Sequence, residues 1–281
     1  MSVRTTLTGS AVVGGIAGRP IAHSLSPVMH NAWIAAAGMD AVYAPFSPRD
    51  AAGFETLVAA GRAGLVQGIN VTAPFKEQAF ALADTATDAA RLSASANILA
   101  FHEGEVRADS SDGLGLMRAL AQQAPGLELG GRAVVLLGAG GAARAAAGAL
   151  VAAGARVRIV NRSRDRAEAL AADLGPSVTV VGDSEAFEDA ALVINALSIQ
   201  PDLDLARLDP AAVVMDMTYR PILTPLLQAA RARGLTTVDG LAMLIGQAAP
   251  SFEAIFRVPP PPLDLRPLLL VALGQVGGES A

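Results

Sequence analysis

The sequence has 281 residues, which predicts about two domains at roughly 150 residues per domain. Hydrophobic residues make up 52% of the chain and charged residues 17%, so the composition excludes an intrinsically disordered protein. The net charge is −5 and no basic block occurs, which argues against nucleic-acid or anionic-lipid partners and favours small-molecule chemistry. The longest uncharged segment, 20–39, contains serines, histidines and an asparagine, so we expect no membrane span.

Cysteine is absent and histidine occurs only three times. These counts exclude disulfides, thiolate metal sites and cysteine nucleophiles, and we expect no metal site. The N-terminal segment lacks the apolar core and cleavage pattern of a secretory leader, so we interpret it as leading into the first strand. The expected location is cytoplasmic.

Short apolar runs alternate with helical patterns, which predicts an α/β fold with largely parallel sheets. The predicted strands are 12–17, 41–46, 66–71, 133–137, 156–160, 191–195 and 213–216. The first predicted helix, 27–37, has Ser26 as a candidate N-cap, Pro27 in its first turn and Gly38 beyond its end. A hairpin is predicted at Glu103-Gly104.

Two changes in composition predict domain boundaries. The first follows Asp112, where a helical pattern at 113–123 leads through a loop into a very apolar strand. The second lies near Gly240, where one long helix, 241–256, begins. A proline-rich linker and a terminal helix within 264–273 follow, and the pattern alone leaves open which domain they join.

A glycine-rich turn follows the strand 133–137 and precedes a helix. It reads Gly138-Ala139-Gly140-Gly141-Ala142-Ala143, the GxGxxA form of the dinucleotide fingerprint in its required context. Gly138 permits the tight turn, Gly140 lets the backbone approach a pyrophosphate, and Ala143 lets the helix pack closely. The helix N-terminus then presents N–H groups to the phosphates.

The next strand ends where an NAD site would carry an acidic residue for the ribose. This chain has Asn161-Arg162-Ser163 instead, and Arg162, supported by Arg164 or Arg166, can pair with a 2′-phosphate. The expected cofactor is therefore NADP. We expect at least one of these three arginines only to solvate the start of the next helix.

Lys76 is the only lysine in the chain, and it follows an apolar strand, where α/β sheets hold ligands. Ser24, Ser26, Asn97 and Asp112 also stand near predicted strand ends. Together these groups suit a polyhydroxylated, anionic small molecule. Taken singly, each has another interpretation, because serine and aspartate are good helix N-caps and asparagine satisfies turns.

At six ordered segments the sequence resembles the shikimate dehydrogenase family. The matching segments are 18–31 (GRPIAHSLSPVMHN), 70–76 (NVTAPFK), the turn at Gly138, 161–163 (NRS), 219–227 (YRPILTPLL) and 240–248 (GLAMLIGQA). The resemblance implies NADP-linked, reversible interconversion of 3-dehydroshikimate and shikimate. It also implies a cleft between a discontinuous α/β substrate domain, 1–112 plus 241–281, and a Rossmann-type NADP domain, 113–240.

The resemblance further implies roles for individual residues. Ser24 and Ser26 would bind the ring carboxylate. The ring hydroxyls would be bound by Thr72, Asn97, Asp112 and Gln247, with Lys76 and Asp112 as the catalytic pair and Tyr219 near the substrate or nicotinamide. The cofactor-binding residues would be Gly138, Ala139, Gly140, Gly141, Ala142, Asn161, Arg162, Ser163, Arg166, Met217 and Gly240.

The chain departs from the family pattern at two places. Ser110-Ser111-Asp112 stands where the family usually has Asn-Thr-Asp, and Asn97-Ile98 where it usually has Asn-Thr. A quinate or dual quinate/shikimate dehydrogenase, or an enzyme for another carbocycle, therefore stays open as an alternative. From another class, a non-catalytic NADP-binding regulator is the alternative, and the retained Lys76 and Asp112 argue against it.

We expect two histidines of the first motif, His23 and His30, to be structural, with His30 hydrogen-bonded within its helix. The expected assembly is a monomer or a homodimer.

Overall fold

A computed structural model describes residues 7–274, which divide into two compact units. Unit 2 is the segment 112–247, and unit 1 takes the chain on both sides of it. The sequence predicts the boundaries at 112/113 and 240/241. The second boundary differs because one continuous helix, Gly240–Phe256, contains it. No helix among residues 7–274 is long and apolar enough to cross a bilayer.

Unit 1 is built on a six-stranded sheet. Its elements are β1 (Val12–Ala17), α1 (Ser26–Ala36), β2 (Ala41–Phe46), α2 (Ala51–Arg62), β3 (Gly68–Val71), α3 (Lys76–Ala81), β4 (Thr85–Ala86), α4 (Asp88–Ser93), β5 (Ile98–His102) and β6 (Glu105–Asp109). The strand order is β2-β1-β3-β5-β6-β4. β1 runs parallel to β2 and β3, whereas β5 is antiparallel to β3 and β6, so this sheet is mixed.

Unit 2 contains a second six-stranded sheet, which is entirely parallel. Its elements are α5 (Asp112–Gln123), β7 (Ala133–Leu137), α6 (Gly141–Ala152), β8 (Arg156–Val160), α7 (Arg164–Leu174), β9 (Val178–Val180), α8 (Asp183–Ala186), β10 (Ala190–Asn195), β11 (Val213–Asp216), α9 (Pro225–Ala232), β12 (Thr236–Asp239) and the start of α10 (Gly240–Phe256). The order β12-β11-β10-β7-β8-β9 is that of a doubly wound dinucleotide-binding sheet, with its switch point between β7 and β10. The α/β prediction is confirmed, and all seven predicted strands are present.

The core of unit 2 has apolar side chains on both faces of its sheet. Every residue of β7 is buried, because helices cover both faces. Small side chains on α6 let α5 approach closely. A Cβ placed on Gly113 would lie 2.9 Å from both Ala145 O and Ala149 Cβ. This contact holds the start of α5, which carries Asp112, against α6.

The core of unit 1 includes an aromatic cluster between α1, β2 and the end of α10. The His30 ring stacks on the Tyr43 ring, with centroids 4.1 Å apart and planes 11° apart. Trp33 meets Phe252 edge to face at 5.3 Å. A final helix, α11 (Arg266–Ala272), follows the proline-rich linker and packs on α1. The C-terminal helices thus contribute to the core of unit 1.

His30 is buried, and neither ring nitrogen has a hydrogen-bond partner within residues 7–274. The prediction of a hydrogen bond within its helix is therefore wrong. The reason is that the His30 ring turns away from its own helix backbone into the aromatic cluster, where it stacks on Tyr43 and meets Trp33 edge to face. Burial lowers the pKa of His30 from 6.5 to about 3.

This lowered pKa predicts acid destabilisation. The unfolded chain binds a proton at His30 near pH 6.5 and the folded chain only near pH 3, so stability is complete above pH 6.5 and falls as the pH drops below it. Between pH 7 and pH 5, the native protein should lose about 2 kcal/mol more unfolding free energy than a His30→Phe variant. Urea unfolding of both proteins at both pH values measures this difference, and an equal pH dependence would contradict it.

Candidate active site

Two loops of unit 1 carry most of the predicted substrate residues. They follow β1 and β3, which are neighbouring parallel strands, so both loops leave the same edge of the sheet. Arg19 N donates to Ala73 O at 3.1 Å, and a Cβ on Gly18 would lie only 2.3 Å from Thr72 Cγ2. The close approach at Gly18 therefore holds the serine-containing loop beside the loop that leads to Lys76.

Ser24 and Ser26 lie at the start of α1. Ser26 is itself the first helical residue, Leu25 occupies the cap position, and no side chain caps the helix there, so the prediction of Ser26 as N-cap is wrong. The Ser24 hydroxyl instead accepts a hydrogen bond from Ser26 N at 3.3 Å. Ser26 is buried and Ser24 is half-buried.

Lys76 is the first residue of α3 and is half-buried. Its carbonyl oxygen accepts a hydrogen bond from Ala96 N at 2.9 Å, which joins it to the segment that enters β5. Thr72 is also half-buried, and its carbonyl accepts from Phe75 N at 3.1 Å in the turn before α3. Backbone hydrogen bonds therefore fix both the turn before Lys76 and Lys76 itself.

Asn97 is buried and makes a two-point contact with Ser111. Its Oδ1 accepts from Ser111 N at 2.9 Å, and its Nδ2 donates to Ser111 Oγ at 3.1 Å. Ser111 directly precedes Asp112, the buried first residue of α5. Asn97 thereby fixes the chain next to Asp112.

The two departures from the family pattern are both buried. Ile98 follows Asn97 and is completely inaccessible. Ser110 is buried, and its hydroxyl has no hydrogen-bond partner in the described part of the chain.

Tyr43 and Asn70 are residues of this region that sequence reasoning missed as site residues. The Tyr43 hydroxyl donates to Asn70 Oδ1 at 2.7 Å, and Asn70 Nδ2 donates to Asn97 O at 3.0 Å. Burial raises the pKa of the Tyr43 phenol well above its usual value, and a hydrogen bond with the Ser26 side chain opposes that rise. The available signal was an asparagine inside a strand whose residues are otherwise small or apolar.

A cavity of about 850 Å³ opens at the carboxyl ends of β7, β8 and β10 in unit 2. Its lining includes Gly138, Ala139, Gly140, Asn161, Arg162, Ser163 and Arg166, together with residues of the segment 196–207. Gly141 and Ala142, which complete the predicted glycine turn, form the first turn of α6 behind it. The cavity thus lies at the switch point of the sheet, where such folds bind nucleotides.

The glycine turn has the geometry that a phosphate site needs. Gly138 has a φ of +113°, which only glycine adopts readily, and its N–H donates to Val160 O at 2.9 Å. At Gly140 a Cβ would meet open space, and no side chain caps α6 there. The N-terminus of this twelve-residue helix is therefore approachable by an anion.

The three arginines after β8 divide into two groups. Arg162 and Arg166 line the cavity, whereas Arg164 Nε pairs with Glu168 at 2.7 Å on the exposed surface of α7. Asn161 Nδ2 donates to Ser163 O at 2.7 Å and shapes the turn between them. No acidic residue occurs at 161–163, and the guanidinium groups of Arg162 and Arg166 there suit the 2′-phosphate of NADP, whereas Asp202 and Asp204 line the cavity from the segment after β10.

The remaining predicted residues of unit 2 lie outside the cavity lining. A Cβ on Gly240 would lie 2.3 Å from Met217 O, so only glycine allows the start of α10 to touch this backbone. Tyr219 is half-buried, two residues beyond Met217. Gln247 is buried on α10, and its Nε2 donates to Leu244 O at 3.2 Å.

Asp216, at the end of β11, is a second organising residue that the sequence reasoning missed. It is completely buried, and its carboxylate accepts hydrogen bonds from Asn195 Nδ2 (3.1 Å), Gln200 Nε2 (3.3 Å), Thr218 N (2.9 Å) and Thr224 Oγ1 (2.8 Å). These bonds hold both the loop after β10, which lines the cavity, and the loop that carries Met217 and Tyr219.

Comparisons with known proteins agree with this geometry. Residues 16–99 match the shikimate dehydrogenase substrate binding domain, and residues 133–207 match the family described as NADP oxidoreductase, coenzyme F420-dependent. The chain is 51% identical to a shikimate dehydrogenase (NADP(+)) of Caulobacter vibrioides, over 96% of this chain and 99% of the relative.

Solved structures are similar over most of both chains. Shikimate 5-dehydrogenase from Thermus thermophilus, in complex with NADP(H) and shikimate, matches with a TM-score of 0.80 and 32% identity, over 89% of this chain and 95% of that one. A quinate dehydrogenase from Corynebacterium glutamicum, in complex with NAD, matches with a TM-score of 0.83 and 27% identity, over 94% of this chain and 99% of that one. As its sequence motifs predict, the chain belongs to the shikimate dehydrogenase family.

Proposed function

We infer that the protein is an NADP-dependent shikimate dehydrogenase, which reversibly reduces 3-dehydroshikimate to shikimate in aromatic amino acid (chorismate) biosynthesis. The observation that carries this inference is the 51% identity to a shikimate dehydrogenase (NADP(+)) over 96% of the chain. The presence of Arg162 and Arg166 in the cavity lining, after β8 where an NAD site would carry an acidic residue, supports the choice of NADP over NAD.

The residues of unit 2 divide the binding of the cofactor among them. The backbone of Gly138 to Ala142 and the N-terminus of α6 hold the pyrophosphate. Arg162 and Arg166 hold the 2′-phosphate, and Asn161 and Ser163 shape the turn that carries them. Met217 and Gly240 are the remaining residues that we propose to bind the cofactor. Bound NADPH supplies the hydride for the reduction.

Apart from the charged pair Lys76 and Asp112, the substrate is held by neutral hydrogen-bonding groups. The Ser24 and Ser26 hydroxyls bind the ring carboxylate, and Thr72, Asn97 and Gln247 bind ring hydroxyls. Tyr219 lies near the substrate. Hydroxyl and amide groups suit a ring whose hydroxyls both donate and accept hydrogen bonds.

Lys76 and Asp112 form the catalytic pair. When the ketone carbon receives the hydride and its two electrons, negative charge develops on the oxygen. The Lys76 ammonium stabilises that charge and supplies the proton that the oxygen retains, while Asp112 orients the ammonium. Within unit 1, Lys76 O accepts a hydrogen bond from Ala96 N, and the next residue, Asn97, bonds to Ser111, which precedes Asp112 in the chain.

We also propose a cytoplasmic location, where the NADP(H) pool that this reaction needs is available. The proposed assembly is a monomer or a homodimer. Size-exclusion chromatography with light scattering distinguishes these two states.

A four-way assay tests the function. Purified protein is given shikimate or quinate, each with NADP or NAD, and kcat/KM is measured from the appearance of reduced cofactor. Shikimate with NADP is expected to lead by about tenfold or more, which corresponds to about 1.4 kcal/mol of transition-state discrimination. A lead by quinate would overturn the substrate assignment and implicate Ser110 and Ile98. Absence of turnover by folded, NADP-binding protein would overturn the enzymatic assignment.

A further inference from the structure

We propose that Tyr43 is a positioning residue for substrate binding, whose buried hydroxyl holds Asn97 in its working orientation through Asn70. Tyr43 lies within β2 and Asn97 lies just before β5, and β1 and β3 separate these two strands in the sheet of unit 1. The proposal rests on the proposed function, in which Asn97 binds a ring hydroxyl.

The hydrogen bonds between these residues run in one direction. Tyr43 donates its only hydroxyl proton to Asn70 Oδ1 at 2.7 Å, and Asn70 Nδ2 donates to Asn97 O at 3.0 Å. A primary amide has an accepting end and a donating end, and here each end has a partner of the matching kind. Tyr43 therefore fixes which way the Asn70 amide faces. Without the Tyr43 hydroxyl, the buried Asn70 Oδ1 has lost this hydrogen-bond donor, which destabilises the present orientation of the amide.

The Tyr43 hydroxyl has little freedom of its own. The Asn31 side chain clamps the backbone of Tyr43, accepting from its N–H at 3.0 Å and donating to its carbonyl at 2.9 Å. The same amide donates to Pro27 O at 2.8 Å, which ties Tyr43 to the first turn of α1. The stacked His30 ring holds the phenol plane from one face.

These contacts join two of the proposed substrate-binding segments. One end is the start of α1, where Ser26 lies, and the other is Asn97, which also fixes Ser111. Because the intervening side chains Tyr43 and Asn70 are both buried, water does not substitute readily for a lost hydroxyl. The chain of bonds thus sets the spacing between a group for the ring carboxylate and a group for a ring hydroxyl.

A Tyr43→Phe variant tests the proposal, because it keeps the ring and its stacking but removes the hydroxyl. We expect KM for shikimate to rise about tenfold, KM for NADP to stay within about twofold, and kcat to change less than KM. Trp33→Phe is the matched control, since Trp33 is in the same aromatic cluster and its indole nitrogen has no hydrogen-bond partner within residues 7–274. This control should lower the melting temperature but leave KM for shikimate within about twofold.

An Asn70→Ser variant and the double variant complete a thermodynamic cycle. If Tyr43 acts through Asn70, its substitution should have almost no further effect on KM once Asn70 is replaced. Additive effects, or an unchanged KM for shikimate in Tyr43→Phe despite a lower melting temperature, would overturn the proposal. If Tyr43→Phe does not fold, an unchanged KM in Asn70→Ser would overturn it as well. Failure of the proposed function gives a different result, since the native protein would then not turn over shikimate at all.

Discussion

Replacing Lys76 with methionine is expected to lower kcat for shikimate oxidation by about 10³-fold, within the range for loss of a general acid–base group. Methionine keeps the length of the side chain but removes the ammonium that stabilises charge on the substrate oxygen. Lys76 lies in unit 1, and the cavity assigned to the cofactor is lined by unit 2, so the dissociation constant for NADP should stay within about twofold. Steady-state kinetics and NADP titration measure the two quantities.

Two controls make this test specific. Lys76→Arg keeps the positive charge but replaces a titratable ammonium with a guanidinium that does not release its proton, so it should recover binding better than turnover. Because Lys76 is the only lysine, amine-directed reagents should inactivate the native enzyme by reaction at this side chain, and shikimate should protect it. A kcat for Lys76→Met within about threefold of the native value would contradict the catalytic assignment.

The double variant Arg162→Ala/Arg166→Ala is expected to raise KM for NADP by about 10²- to 10⁴-fold while KM for NAD changes little. Each charge-assisted hydrogen bond to a phosphate is worth about 1.5–3 kcal/mol. NAD lacks the 2′-phosphate, so it makes no such bonds and loses none in the variant. The measurement is kcat/KM with each cofactor at saturating shikimate.

Arg164→Ala is the matched control for this prediction. It removes one guanidinium group from the first turn of α7, the turn that also carries Arg166, but Arg164 pairs with Glu168 and does not line the cavity. Its KM for NADP should therefore stay within about threefold of the native value. Equal losses with NAD and NADP in the double variant would show that Arg162 and Arg166 support the fold or the pyrophosphate instead of the 2′-phosphate.

Local patterns in the sequence predict much of this molecule correctly. The turn at Gly138 was predictable because a strand, a positive φ and a helix start follow one another within a few residues. The hairpin at Glu103-Gly104 was predictable because a two-residue turn that contains glycine separates two strands, and both residues have positive φ angles, +50° and +85°. The surface pair of Arg164 with Glu168 has the i,i+4 spacing of a helix, so it too could have been predicted.

Side-chain partners that are distant in sequence were not predictable from these patterns. Tyr43 and Asn70 are 27 positions apart, and their contact depends on β1 lying between β2 and β3. The expectation for His30 was wrong for a related reason. One wall of its surroundings, the Phe252 ring of α10, is more than 200 positions away, and the rings around His30 are aromatic instead of polar. Sequence patterns identify which residues carry the chemistry better than they identify what holds those residues in place.

The path of α10 has a consequence for the order in which the protein folds during synthesis. Unit 2 is continuous in sequence, so all of its contacts can form once Gln247 has left the ribosome. Unit 1 completes its contacts later, because Trp33 packs on Phe252 and Arg257 donates to Phe101 O at 3.3 Å, so residues 252 and 257 must first be synthesised. The first hundred residues therefore remain without part of their core until the last segment emerges, and they are the part of the nascent chain with most need of protection from aggregation.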